Sequence, residues 1–285
     1  MTQDDSNDKS ENGPQESRGC DDLWKLSFPE YVKQRKKIAE NLNCPPNLLD
    51  QEWKKQCREH GKASRATKQS DLAQSIDPWP EAVRGDDLLR EIANVIKQFI
   101  VMPPGAAEAT ALWIVGAHAV ECFGIFPFLM ITSPTPSCGK TNTLKVIGAM
   151  TPKPVKAANI SPSTVYRVID LYHPTLLIDE ADTYLRNNDA LRGILNAGHS
   201  KNSYIWRTIK DANDEMVPTK FSTWGPKVIA MIGKAPPTIM SRSIIVSLKR
   251  ALPTDKIERV KEWKLDDLGV LAQKAARFVS ITATR

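Results

Sequence analysis

Apolar positions along the chain fall into three textures. Residues 1–22 carry only two, Met1 and Cys20. This polar, acidic stretch has too little apolar surface to offset its ordering entropy and is expected to be a disordered tail. From Asp22 the pattern changes. Trp24, Leu26, Phe28, Tyr31 and Val32 open a helix that continues through QRKKIAENL, and Cys44-Pro45-Pro46 breaks it. Asn47 is placed to cap a second helix, NLLDQEWKKQCRE. Two short helices joined by a tight turn predict a small helical module over residues 23–68, similar to a helix-turn-helix hairpin. Residues 69–85, with Pro78 and Pro80 around Trp79, read as a linker.

The third texture begins near Asp86. Leu88, Leu89, Ile92, Val95, Ile96, Phe99 and Ile100 recur at helical spacing. Pro103-Pro104-Gly105 ends that helix, and Ala106 to Phe123 forms the next. Short apolar runs then alternate with helical segments. The runs 128–132, 154–158, 175–179, 228–232 and 243–248 read as strands. Helices are expected over 140–150, from the Ser161-Pro162 cap to Leu171, and over 189–197 with Gly198 as the stop. Segments 204–209 and 219–223 are placed to pair as a hairpin. Continuous apolar strands separated by helices predict a parallel sheet covered on both faces. The α/β domain spans 86–253, and a helical segment follows over 254–285. The apolar stretch 109–131 is long enough to cross a bilayer. It also contains His118, Glu121, Gly124 and Pro127, and it reads as a buried helix and strand, with His118 a core histidine.

Composition narrows the class. The chain has 285 residues, 41% hydrophobic and 25% charged, as in soluble globular proteins. This excludes collagen-like, coiled-coil and wholly disordered chains. A net charge of +6 with a pI near 9.0 suits a nucleic-acid partner but is spread thinly. A denser patch is Lys54, Lys55, Arg58, Lys62, Arg65 and Lys68 against Glu59, which is either a phosphate-contacting surface or a solvated helix face. Five cysteines without CxxC or a zinc spacing read as free thiols of a reducing compartment. The acidic N-terminus is no secretory signal, so a cytoplasmic protein without a membrane partner is expected.

Candidate chemistry follows the first apolar strand. Ser133-Pro134-Thr135-Pro136-Ser137-Cys138-Gly139-Lys140-Thr141 resembles the phosphate-binding loop GxxxxGK[ST], in the strand–loop–helix context that motif requires. Loop N–H groups and the positive helix end would surround phosphates, Gly139 would permit close approach, Lys140 would reach the β- and γ-phosphates, and Thr141 would ligate Mg²⁺. Pro134 stands where the motif has its first glycine; it fixes φ and removes a donor. A second motif, Leu176-Leu177-Ile178-Asp179-Glu180, ends a buried strand in two carboxylates. Asp179 would hold Mg²⁺ and Glu180 would polarise the attacking water; alternatively both cap the next helix. Arg242, before the last strand, would stabilise γ-phosphate charge on a neighbouring subunit, or pair locally with an acid. The strand VIAMI has no polar sensor directly at its end. Asn196 and His199 are candidates for nucleotide or DNA contact, or belong to a helix C-cap. Tyr204, Trp206, Arg207 and Lys210 interleave aromatic and basic side chains on the hairpin, as in single-strand clamps, although aromatics also favour strands in general.

The segments ALWIVGAHAVECF, ITSPTPSCGKT, AANISPSTVYRVI, PTLLIDEADTYLRNNDALRGILNAGHS and FSTWGPKVIAMIGKAPPTIMSRSIIVSLKR lie between about Pro78 and Trp263. Together they resemble a family of uncharacterised-domain P-loop ATPases of phage, plasmid and integrated-element proteins, often the C-terminal part of primase-helicase-like polypeptides. The family's loop reads SPxxxCGKT, so Pro134 and Cys138 match it. The resemblance implies a three-layer, AAA+-like P-loop NTPase fold with a parallel central sheet. It implies an ATPase of a mobile-element DNA replication system, acting as a DNA helicase motor. No primase motif precedes the domain. Relatives continue through further helices that cover the nucleotide, so 254–285 is read as a truncated lid.

The expected activity is thus Mg²⁺-dependent hydrolysis of ATP. Ser137, Cys138, Gly139, Lys140 and Thr141 would bind the phosphates. Thr141 and Asp179 would hold Mg²⁺, and Lys140, Asp179, Glu180 and Arg242 would serve catalysis. Expected partners are single-stranded or forked DNA, further copies of the chain in a homo-oligomer such as a hexameric ring, and a primase or replication initiator. Two rivals remain: a nucleotide-dependent switch with little turnover, and a DNA-binding adaptor using residues 28–68.

Overall fold

The computed structural model describes residues 28–42, 44–46, 48–53, 55–56, 76–158, 160–185, 188–210 and 214–282, together with Leu23 and Lys25. The expected tail, the Asn47 cap, Cys20, Cys57, linker residues 69–75 and the basic stretch 54–68, except Lys55 and Gln56, lie outside the described residues. The chain divides into two compact units, Met1–Ser70 and Asp71–Arg285.

In the first unit, α1 (Phe28–Asn41) is followed by helical residues 48–53. The N–H of Leu48 donates to the carbonyl of Pro45 at 3.0 Å, which starts the second helix after the prolines. Leu23, Tyr31, Ala39 and Leu49 are buried. The Tyr31 ring stacks on Trp53 with centroids 4.7 Å apart. The Tyr31 hydroxyl (2.8 Å) and Arg35 Nε (2.7 Å) both donate to Asp50. Burial, and then the Asp50 carboxylate, push the Tyr31 phenol up to about 12.

The second unit is a three-layer α/β structure. Five parallel strands, β1 (Phe128–Ser133), β2 (Pro154–Ala157), β3 (Thr175–Ile178), β6 (Lys227–Ile232) and β7 (Ser243–Ser247), align in the order β2-β3-β6-β1-β7. Side chains alternate across this sheet. Leu129, Ile131, Leu177, Val228 and Ala230 enter one core with α2 (Gly85–Phe99), α3 (Ala106–His118) and α4 (Lys140–Met150). Phe128, Met130, Leu176, Ile178, Ile229 and Met231 enter the other. That side carries α5 (Pro162–Tyr172), α6 (Ala181–Tyr184), α7 (Asp189–Ala197) and α8 (Pro237–Met240). The Ser161 hydroxyl caps α5 by accepting from the N–H of Thr164. Strands β4 (Tyr204–Lys210) and β5 (Met216–Ser222) form a separate antiparallel hairpin.

One helix ends earlier than the sequence reading has it. The helix expected to reach Phe123 stops at His118, and a 3-10 turn, Val120–Cys122, follows. The chain turns there because Phe126 packs on Trp113 and Phe123, with centroids 5.6 Å from each. His118 Nε2 lies 2.9 Å from the Met150 carbonyl, and burial holds its pKa down. The C-terminal segment is helical, as expected. Its helices α9 (Glu262–Asp267) and α10 (Gly269–Thr282) bury Leu265, Leu268, Leu271 and Ala275 in the core shared with α2, α3 and α4. These apolar residues repeat at helical spacing, and packing against a helical layer satisfies them. The ion pair Lys274–Glu91, at 2.7 Å, fastens α10 to α2. Among the described residues no helix is long and apolar enough to cross a membrane; segment 109–131 divides between α3 and β1.

Candidate functional site

The parallel strands bring three carboxyl ends to one sheet edge. Register pairs Ser133 with Ile232 and Ile178 with Ile229, so β3, which ends level with β2, stops short of β6 and leaves a recess. A cavity of about 730 Å³ opens there. It is lined by residues 136–142, Asp179, Glu180, Asp182, Thr183 and Ile232, and by Phe99, Ile100, Val101, Lys249, Ala251 and Ile257. Open α/β sheets place ligands at this position.

The loop after β1 is shaped by its backbone. Ser137 and Gly139 adopt left-handed conformations, with φ of 60° and 83°. A Cβ at Gly139 would meet no atom within 4 Å, so glycine serves the backbone angle there, not clearance. Gly139 is also the N-cap of α4 and supplies no side-chain acceptor. The first-turn N–H groups and the positive helix end therefore face the loop. Lys140 Nζ donates to Ser133 Oγ at 2.7 Å, which turns the ammonium back over the end of β1. Cys138 is buried beneath the loop, and its hydrogen bond with Thr135 (3.5 Å) holds the thiol below its usual range.

The second motif meets the first directly. Thr141 Oγ1 donates to Asp179 Oδ2 at 2.9 Å, across 38 residues of sequence. Asp179 Oδ1 accepts from the N–H of Glu180 at 2.9 Å. Glu180 has a φ of 52°, which costs a non-glycine residue about 1–2 kcal/mol. Strain of this kind gathers at functional sites. Glu180 is the N-cap residue of α6 and makes no side-chain cap bond to it. Sequence reasoning missed Asp182, whose Oδ1 accepts from the N–H of Ile232 at 3.0 Å and so ties α6 to the end of β6. Its nearness to the motif was the available signal.

Arg242 is not brought to this cavity within one chain. It precedes β7 at the opposite sheet edge, where its carbonyl accepts from the N–H of Phe128 at 2.9 Å. The six residues of β1 separate that edge from the loop by roughly 20 Å. Asn196 and His199 also lie away from the cavity. Asn196 Nδ2 donates to Thr238 Oγ1 at 3.3 Å, and Arg242 Nη1 donates to the Thr238 carbonyl at 2.5 Å. The His199 ring meets Phe128 edge-on. Burial lowers the His199 pKa, and Arg242 and Lys227 lower it further.

Lys227 was also missed. It is 1% exposed at the start of β6. Its ammonium donates to the carbonyls of Thr223 (2.7 Å), Gly225 (2.9 Å) and Gly198 (3.1 Å), closing the neck of the β4–β5 hairpin. Burial pushes the amine down to about 7. A Cβ on Gly198 would lie 2.2 Å from the Thr223 carbonyl, so only glycine fits that neck.

On the hairpin, Tyr204 and Trp206 face outward, 45% and 62% exposed. Lys220 stands opposite Trp206 in the register and over the Tyr204 ring at 5.1 Å. Arg207 turns to the inner face over Tyr166, and Lys210 pairs with Asp214.

No family model matches the chain, and no curated protein matches it. The family resemblance rests on the motifs themselves.

Proposed function

We propose that the second unit is a Mg²⁺-dependent ATPase of AAA+-like P-loop type. The observation that carries this reading is the Thr141–Asp179 contact, which joins the two motifs at one point beside an open helix start. Mg²⁺ binds through one or two carboxylates, waters and substrate phosphates, not through a complete protein cage. Among the described residues no group of three or more His, Cys, Asp or Glu forms such a cage. A hydroxyl and a carboxylate oxygen 2.9 Å apart suit a cation that arrives with its phosphates. Bound there, Mg²⁺ would neutralise charge on the β- and γ-phosphates.

The chain's own groups perform the remaining work. N–H groups of 137–141 cradle phosphate oxygens, and Lys140 swings from Ser133 to the outer phosphates. Glu180, exposed at the cavity, orients a water and takes its proton. The water oxygen forms the new bond to the γ-phosphorus as the bond to the β-phosphate oxygen breaks. Arg242, at the far edge, serves catalysis only from a second copy, which motivates a homo-oligomer.

The outward hairpin face supports a motor acting on DNA, through aromatic stacking beside lysine. A mobile-element replication role, with a primase or initiator partner, belongs to this same proposal. The test is phosphate release from ATP, with and without single-stranded DNA, for wild type and Glu180→Gln. Turnover stimulated by DNA and abolished by the substitution supports the motor. ATP binding with slow, DNA-indifferent turnover favours the switch.

A further inference from the structure

The cavity has two chemically different ends. The polar end is the loop, Asp179, Glu180, Asp182 and Thr183. Lys249 belongs with it: the preceding residue, Leu248, donates its N–H to the Thr132 carbonyl at 2.7 Å, beside the loop. The other end is formed by Phe99, Ile100 and Val101, where α2 gives way to extended backbone, and by Ala251 and Ile257. None of these five side chains carries a hydrogen-bonding group.

This apolar end is a built feature. The N–H of Glu258 donates to the Gln98 carbonyl at 2.8 Å, and Gln98 Nε2 returns a bond to Glu258 Oε1 at 2.8 Å. Lys264 pairs with the same carboxylate. Ile257 is thereby held opposite the end of α2, yet it stays 38% exposed, and nearby Leu252 is 63% exposed. A bare triphosphate gains nothing from such a wall. A ligand with phosphates at one end and a flat ring at the other matches both ends.

We propose that Phe99, Ile100, Val101, Ala251 and Ile257 seat the base of a nucleoside triphosphate, without a side chain that reads the base's edge. The site then accepts nucleoside triphosphates as a class, not ATP alone. This rests on the phosphate reading of the polar end. The physical reason is the limit of apolar discrimination. Apolar pockets separate near-isosteric ligands by roughly 10–200-fold, whereas sites that hydrogen-bond the distinguishing group reach about 10⁴–10⁵-fold.

The experiment is equilibrium binding to the full chain in Mg²⁺, with ATP, GTP and inorganic tripolyphosphate as probes. ATP and GTP are expected within about tenfold of each other, and each at least about tenfold tighter than tripolyphosphate. Ile257→Asp, at a position exposed enough to leave folding intact, collapses the advantage of both nucleotides over tripolyphosphate; Val101→Asp does the same from the opposite wall. Tripolyphosphate binding as tightly as ATP overturns the seat. So does a nucleotide advantage that survives both substitutions. A preference for ATP over GTP beyond about a hundredfold overturns the claim that the site accepts nucleoside triphosphates as a class. Failure of all three probes to bind overturns the phosphate reading itself, and the seat with it.

Discussion

Lys227 offers a quantitative test of the fold around the hairpin. Its ammonium is buried against three carbonyls, and burial pushes the amine down to about 7 from an ordinary 10.5. Between those values the unfolded chain binds more protons at this site than the folded chain. Folding stability must therefore rise with pH across that window. The penalty is fully present below about pH 7 and gone above about pH 10.5. Integrated from pH 7 to pH 9, it amounts to about 2 kcal/mol, a large part of a domain's net stability. Lys227→Met keeps the chain length of the side chain and removes the titration. The assay is urea unfolding of wild type and Lys227→Met at pH 7, 8 and 9, taking the difference at each pH so that other titrating groups cancel. Wild type should gain about 2 kcal/mol on the variant over that range. A pH-independent difference would refute the claim that Lys227 is desolvated in the folded state.

Other consequences follow from exposed and edge residues. Trp206→Ala should weaken single-stranded DNA binding by about 1–3 kcal/mol, read by fluorescence anisotropy of a labelled strand. Its thermal unfolding should move little, because the ring is 62% exposed. Glu180→Gln and Arg242→Ala chains should each be nearly idle alone and regain turnover when mixed, since one site of a mixed pair then has both groups. No recovery on mixing, in a protein shown to oligomerise, rules out Arg242 acting between copies.

The sheet was legible because its strands are short continuous apolar runs, as full burial on both faces demands. FLMIT, TLLID, VIAMI and SIIVSL appear within a residue or two as β1, β3, β6 and β7. Likewise, Lys140, Thr141, Asp179 and Glu180 share one edge because parallel strands share a carboxyl end. The missed features depend on contacts distant in sequence. Lys227 reads as an ordinary surface lysine until Gly198 brings its carbonyl from 29 residues away. Phe99–Val101 and Ile257 join in one cavity through the Gln98–Glu258 bonds, separated by 160 residues. The strand β5 was expected only from Thr219, since Pro218 and its polar neighbours hide a strand; the structure extends it back to Met216, on an exposed hairpin where proline is tolerated. Which sheet edge Arg242 occupies could be read only from the topology.

The central claim is that the recess at the carboxyl edge hydrolyses ATP with Mg²⁺. It is tested most directly by phosphate release from Mg²⁺-ATP by wild type and by Lys140→Met at equal protein concentration. The account predicts turnover in wild type that needs Mg²⁺ and is lost in the variant. Equal release by both proteins, or Mg²⁺-independent release by wild type, would contradict it.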